Sequence, residues 1–238
     1  MNTTGRDTVD QLEKDILGWQ PKPKKKNAIC VRCEDSLAAF STVAEIETGH
    51  KMAAAKRAQS FHQLFRKLGR RINKEGWIVA CANQEQVNFA TGAKTTPGGN
   101  AIKYWASIRI RLARDTRDRG GELKKTWKIS EATVEKTIGI KSIARVIKNS
   151  CDDPFREVPV YIIFGQGIDD IRGNLQWIKD TLSLDAYDCV TKKYARLSPA
   201  IRHIEKYGLE VKLREKVIKL YTEIEDHFRV ERKQKVRF

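Results

Sequence analysis

Residues 77–84 run Trp77-Ile78-Val79-Ala80-Cys81-Ala82-Asn83-Gln84, an unbroken apolar stretch closed by two amides. An apolar run of this length without polar alternation predicts a strand buried on both sides in a mostly parallel sheet. Just upstream, from Lys51 to Lys74, Met52, Phe61, Leu64, Phe65, Leu68 and Ile72 recur at helical spacing. Lys56, Arg57, Arg66, Lys67, Arg70 and Arg71 occupy the other faces, so the segment predicts a long basic helix that Gly76 ends. Further upstream, Ala28-Ile29-Cys30-Val31 is a second apolar run of strand length. Strand, helix, strand predicts an α/β fold.

Working outward, Val9, Leu12 and Ile16, closed by Gly18, predict a short amphipathic helix over 8–18. Pro21 and Pro23, interleaved with four lysines, predict an exposed loop before the first strand. Downstream, a Gly/Thr/Pro-rich loop at 90–100 precedes an alternation of Ile108, Ile110 and Leu112 with Arg109 and Arg111. That period of two predicts a strand with one wet face. A charged hairpin or loop is expected over 114–128, then strands over 143–148 and 158–164, separated by Asp152-Asp153-Pro154. Beyond Gly167, Ile171, Leu175, Ile178 and Leu182, and later Leu213, Val217, Leu220, Tyr221, Ile224 and Phe228, predict a small mainly helical domain with a basic tail. No internal repeat is present. The expected organisation is an N-terminal helix and basic loop (1–27), a core (28–168) and a small C-terminal domain (169–238).

The 238 residues carry 46 Lys plus Arg against 30 Asp plus Glu, a formal net charge of +16. With 40% hydrophobic residues the chain is too apolar for a disordered polycation, so it is expected to fold and to meet a polyanion, nucleic acid being the commonest. No apolar run approaches the roughly 18 residues of a membrane span, and the first residues lack the apolar stretch of a secretory signal. The expectation is a cytoplasmic protein with no membrane partner. The five cysteines are odd in number and scattered, which argues against a disulfide framework. Cys30 and Cys33 form a lone C-x-x-C inside an apolar strand, with no second pair at a zinc-site spacing.

The most informative segment is Asn83-Gln84 followed, after a polar loop, by Thr95-Thr96-Pro97-Gly98-Gly99-Asn100-Ala101-Ile102-Lys103-Tyr104-Trp105-Ala106-Ser107-Ile108-Arg109. It resembles the RecA family of DNA-strand-exchange recombinases, whose motif runs Gly-Gly-Asn-Ala-x-Lys-Phe-Tyr-x-Ser-x-Arg after a strand ending in Asn-Gln. Tyr104 and Trp105 replace the usual Phe-Tyr with other aromatics. Three further segments agree in order: Asp35-Ser36-Leu37-Ala38-Ala39 resembles the Walker B turn, Ala44-Glu45-Ile46-Glu47 the approach to the first DNA loop, and Arg145 to Asn149 with Gly165-Gln166-Gly167 the last core strands. The resemblance covers roughly residues 28–180. It implies the C-terminal part of a RecA-like P-loop ATPase core, a mixed sheet with helices, plus the small helical domain.

No G-x-x-x-x-G-K-S/T occurs in these residues, so the backbone cradle for nucleotide phosphates is absent from them. The resemblance therefore implies a chain inactive alone, and a DNA-dependent ATPase and recombinase only with a complementary N-terminal portion. ATP and Mg²⁺ are the implied cofactors, with Asp35 placed to hold the metal through water. Gln84 resembles the residue that senses the γ-phosphate. Lys148 resembles a lysine that reaches the nucleotide of the neighbouring protomer, although Ser150 stands where the family often has a second lysine. Lys51, Met52, Val87, Phe89, Lys94, Gly98, Gly99 and Asn100 are the implied DNA contacts: apolar side chains wedge between bases, and lysine and glycine backbone meet phosphates. Tyr104 is the implied subunit-interface aromatic of a homo-oligomeric filament on single-stranded and duplex DNA, in a bacterial or phage-infected cell. The alternative is a non-enzymatic basic DNA-binding or filament-modulating protein derived from a recombinase.

Overall fold

The computed structural model describes residues 7–22, 28–48, 53–87, 92–117 and 119–229. The chain divides into two units, Met1–Arg109 and Ile110–Phe238.

The first unit opens with helix α1 (Val9–Gly18). Thr8 caps it: its hydroxyl accepts from the Gln11 N–H at 3.3 Å, and Gln11 Oε1 accepts from the Thr8 N–H at 3.1 Å. This reciprocal pairing satisfies two N–H groups that a helix start otherwise leaves open. Val9, Leu12 and Ile16 are buried, as their spacing requires. Strand β1 (Cys30–Glu34), a short 3₁₀ turn (Leu37–Ala39), α2 (Val43–Thr48), α3 (Ala53–Glu75) and β2 (Trp77–Cys81) follow. Strands β1 and β2 pair in parallel, Cys30 opposite Trp77 through Glu34 opposite Cys81. Phe61, Leu64 and Leu68 of α3 join the α1 residues, Leu37 and Phe40 in one core, with Val79 and Ile102 packed against it.

The expectation that the 77–82 run is buried on both sides needs correction. One face meets the core, whereas Val31 and Ile78, opposite each other in the register, are both about half exposed. The reason is the sheet itself: two strands offer helices α1 and α3 one face to cover, and no described element lies over the other. Arg32, an unexpected charge for this strand, bridges Glu34 at 2.5 Å and Asp15 of α1, which explains how a buried glutamate is tolerated. After β2 come a small hairpin, β3 (Gln86–Val87) and β4 (Lys94–Thr95), and helix α4 (Gly99–Trp105).

The second unit is built on a five-stranded sheet. Its strands are β5 (Ile108–Arg114), β6 (Glu122–Ile129), β7 (Ala132–Asn149), β8 (Glu157–Ile163) and β9 (Gly167–Ile168). They run in the order β5-β7-β8-β9, and β6 pairs with β7. The charged hairpin or loop expected over 114–128 is the turn after β5 and most of β6, the first arm of the β6–β7 hairpin, and the expected strand at 143–148 is the end of an 18-residue β7. The sequence hid this ribbon because lysines interrupt its apolar alternation: Lys125 and Lys136 share a face with Trp127 and Val134. Strand β5 inverts the expected polarity: Ile108, Ile110 and Leu112 are 51%, 60% and 67% exposed, while Arg109 and Arg111 are half-buried. The period of two is correct, but no described element covers the apolar side.

Between β5 and β6, Asp115 is buried and accepts from Arg117 Nε at 2.8 Å and from Lys141 Nζ at 3.0 Å. Gly121 has φ +72°, and a Cβ there would lie 2.5 Å from the Asp115 carbonyl oxygen, so only glycine closes this turn. The C-terminal helices are α5 (Asp170–Thr181), α6 (Leu197–Tyr207) and α7 (Glu210–Phe228), with a hairpin of β10 (Tyr187–Asp188) and β11 (Lys193–Tyr194) inserted. Leu175, Ile178, Cys189, Ala200, Ile204, Leu209 and Leu213 form their core. Burial pushes the Cys189 thiol up to about 11. Among the described residues, no helix is long and apolar enough to cross a membrane.

Candidate functional site

The parallel pair β1–β2 places its strand ends side by side, and a ligand of an open α/β sheet binds at that carboxyl edge. The ladder continues past the strands: the Ala82 N–H donates to Glu34 O at 2.8 Å and the Leu37 N–H to Ala82 O at 2.9 Å. Asp35 and Ser36 on one strand and Asn83 and Gln84 on the other therefore share one edge. Asp35 and Gln84 are exposed there, and the Asp35–Ser36 peptide is cis. An exposed carboxylate is a hard oxygen donor suited to water-mediated Mg²⁺. It is a single donor, and no group of three or more His, Cys, Asp or Glu side chains is placed to hold a metal among the described residues.

Asn83 has the defining role in the local geometry. Its Nδ2 donates to Pro97 O at 3.2 Å, and its Oδ1 accepts from the Gln84 N–H at 3.0 Å. One side chain thus ties the end of β2 to the start of α4 and closes the loop between them. Inside that closure β3 pairs with β4, Gln86 opposite Thr95 and Val87 opposite Lys94. The expected polar loop has a paired base, from which Val87 and Lys94 both reach solvent. Phe89, Lys51 and Met52 lie outside the described residues. Sequence reading placed Asn83 in the motif but gave it no task, because its partner is a carbonyl fourteen positions on that no local pattern marks.

Gly98 has φ +86° and is buried; a Cβ would lie 2.7 Å from Ile102 Cδ1 and 3.0 Å from Phe61 Cδ2. The structure therefore gives this glycine a packing reason, turning the chain into α4 against the core. Gly99 has φ +62°, and Asn100 next to it is exposed. On α4, Ile102 packs on the core, and Trp105 lies 3.8 Å from the Cβ position of Gly69 and donates from Nε1 to His62 Nδ1 at 3.0 Å. Tyr104 points the other way, 74% exposed, its ring edge-on to Trp105.

Lys148 belongs to the second unit, half-buried near the end of β7. Asn149 beyond it organises the turn, its Oδ1 accepting from the N–H groups of Cys151 at 3.0 Å and Asp152 at 3.2 Å. Arg156 then pairs with Asp152 and Glu225, each at 2.8 Å.

With this geometry in hand, the comparison with known families is decisive: the sequence profile of the RecA N-terminal domain matches residues 20–169. The chain belongs to the RecA family. Protein RecA of Streptococcus pneumoniae strain Hungary19A-6 is 36% identical over 140 residues, covering 56% of this chain and 33% of that protein. The RecA proteins of strains CGSP14 and G54 match to the same extent. The chain spans about a third of the length of the RecA relatives it matches. The family match begins before β1 and ends at β9, so it contains the strand edge, the β3–β4 hairpin, α4 and the sheet of the second unit.

Proposed function

We propose that this chain is the DNA-binding part of a RecA-like recombination protein. It binds single-stranded DNA in a homo-oligomeric filament, engages duplex DNA and supports strand exchange in the cytoplasm of a bacterial or phage-infected cell. It uses ATP and Mg²⁺ only with a complementary polypeptide that carries the phosphate loop. The observation that carries this reading is the Asn83 latch, which roots the hairpin presenting Val87 and Lys94 in the same edge as Asp35 and Gln84.

In this reading Val87, with Phe89, enters between bases while Lys94 holds phosphate, and Asn100 and the Gly99 backbone contact the strand at the base of the loop. Lys51 and Met52 belong to the first DNA loop. Bound ATP supplies a γ-phosphoryl group whose presence distinguishes two states. Asp35 orients the metal through water, Gln84 hydrogen-bonds toward the γ-phosphate, and Lys148 offers a cation to a neighbouring protomer. Tyr104, exposed on α4, meets that neighbour. The uncovered apolar faces at Val31/Ile78 and at Ile108, Ile110 and Leu112 support a complementary polypeptide, since apolar surface of this extent is stabilised by a cover.

The test is fluorescence anisotropy with a labelled oligodeoxythymidylate and a duplex of equal length across a salt series. Preference for the single strand, weakening with salt, is expected. Deleting residues 85–97 should lower single-strand affinity by tenfold or more, and removing 229–238 should lower it less. A silent loop deletion with a large tail effect overturns the DNA site. DNA-stimulated ATP turnover restored by a polypeptide with the phosphate loop separates this reading from the non-enzymatic alternative, which the lack of that loop in these 238 residues favours.

A further inference from the structure

Lys148 stands where the pairing of β7 with β8 gives out. The two strands pair as far as Arg145 opposite Glu157, and one further step is made by the Val146 N–H to Arg156 O and the Phe155 N–H to Val146 O, each at 2.8 Å. The chain between Asn149 and Phe155 is the turn that joins them. Phe155 sits at φ +72°, a left-handed backbone that a bulky residue rarely adopts, and it is 77% exposed. Neither local preference nor burial of that ring holds the turn.

Side chains hold it instead. Asn149 accepts from the Cys151 and Asp152 N–H groups and so closes the near half of the turn on itself. Arg156 fixes the far half from outside. Its Nη1 donates to Asp152 and its Nη2 to Glu225 of α7, each at 2.8 Å, and its guanidinium lies 5.4 Å from the ring centroid of Tyr221 on the same helix. The Tyr221 ring in turn lies 6.5 Å, centroid to centroid, from Trp177 of α5, which packs against the C-terminal core. A planar fork of donors meets two carboxylates and a ring at once, whereas an ammonium does not. Ion pairs this exposed add little to global stability, since Asp152 and Glu225 are 59% and 40% exposed. What the arrangement fixes is geometry: it anchors a turn that begins at Lys148 to a helix seated on the C-terminal core.

We propose that Arg156 is a positioning residue for Lys148: by tying the 149–155 turn to α7 it holds the Lys148 ammonium where a neighbouring protomer's nucleotide meets it. The inference rests on the role given to Lys148 above. A turn closed only by Asn149 leaves Lys148 free to sample many directions, and a cation stabilises transition-state charge only where it is already in place. Helix α7 thereby acquires a task beyond packing, because the firmness with which Lys148 is presented depends on Glu225 and Tyr221.

Two measurements on the full chain test this. Without nucleotide, Arg156→Ala should speed amide exchange across 147–155 several-fold while the melting temperature stays within about 2 °C of the parent. With the polypeptide that carries the phosphate loop and an oligodeoxythymidylate, the same variant should lower kcat for ATP about tenfold and leave KM within about twofold. Arg156→Lys, which keeps the charge but not the fork, should recover little of that loss. In a Lys148→Gln background Arg156→Ala should have no further effect, because a residue acting through Lys148 then has nothing to position. Unchanged exchange in Arg156→Ala overturns the proposal, as does a loss of turnover that persists undiminished in Lys148→Gln. A parent assembly without turnover, or a Lys148→Gln chain that turns over ATP like the parent, overturns the reading of Lys148 and the proposal with it; either failure is visible before Arg156 is changed.

Discussion

Asp115 shows how one buried carboxylate fixes a chain reversal. Its hydrogen bonds from Arg117 and then Lys141 hold its carboxyl well below the usual carboxylate range, while its own N–H donates to Lys141 O at 2.9 Å. The unfolded chain returns this group to an ordinary pKa of about 3.9. Because the folded value is the lower one, the stabilisation is complete above the unfolded value and is lost as pH falls from there toward the folded one. Asp115→Asn should therefore melt a few degrees below the parent chain at pH 6–7, and the gap should close as pH is lowered from about 4 toward 2. Thermal melts at several pH values check this; a gap that widens in acid contradicts it. Cys189, sealed in the C-terminal core, is the opposite case, a group kept neutral by burial rather than charged by partners.

At the scale of elements, the Asn83 latch is the contact that turns a loop into a positioned hairpin. Asn83→Ala removes two side-chain hydrogen bonds, to Pro97 O and from the Gln84 N–H, each worth about 0.5–1.5 kcal/mol net. The global melt should change little, whereas amide exchange at Gln86, Val87, Lys94 and Thr95 should accelerate several-fold, as measured by hydrogen-exchange mass spectrometry. Equal exchange in both chains would mean that the β3–β4 pairing stands without the latch. Sequence reading reached α1, α3, both parallel strands and the motif around α4 because each is marked locally, by spacing or by a run of residue types. It did not resolve β6 beyond a charged hairpin or loop, because lysines interrupt the apolar alternation there. Nor did it reach the packing reason for Gly98, which depends on Phe61 far away in sequence.

For the whole molecule, each unit keeps a core of its own and leaves one apolar sheet face uncovered. The sequence showed these residues as apolar, and their alternation or continuity predicted strands. What it could not show is which side of each sheet the chain's own helices cover, because that depends on contacts far apart in sequence. The purified chain should bind an environment-sensitive apolar dye at neutral pH more strongly than a globular protein of its size. A polypeptide supplying the phosphate loop should suppress that signal on mixing. Dye binding no greater than that of the reference, in a monodisperse chain, would show that these faces are covered without a partner.

The Asn83–Pro97 bond also bears on how the chain tolerates change. Loop closure is fixed at its ends, and each doubling of loop length adds only about 0.6 kcal/mol of closure cost. Residues between the two anchors can thus be exchanged, added or lost at small expense to the core, provided Asn83 and the carbonyl of Pro97 persist. Drift in the hairpin is then filtered by what it contacts rather than by folding, which leaves that segment free to be retuned while its foundation stays in place.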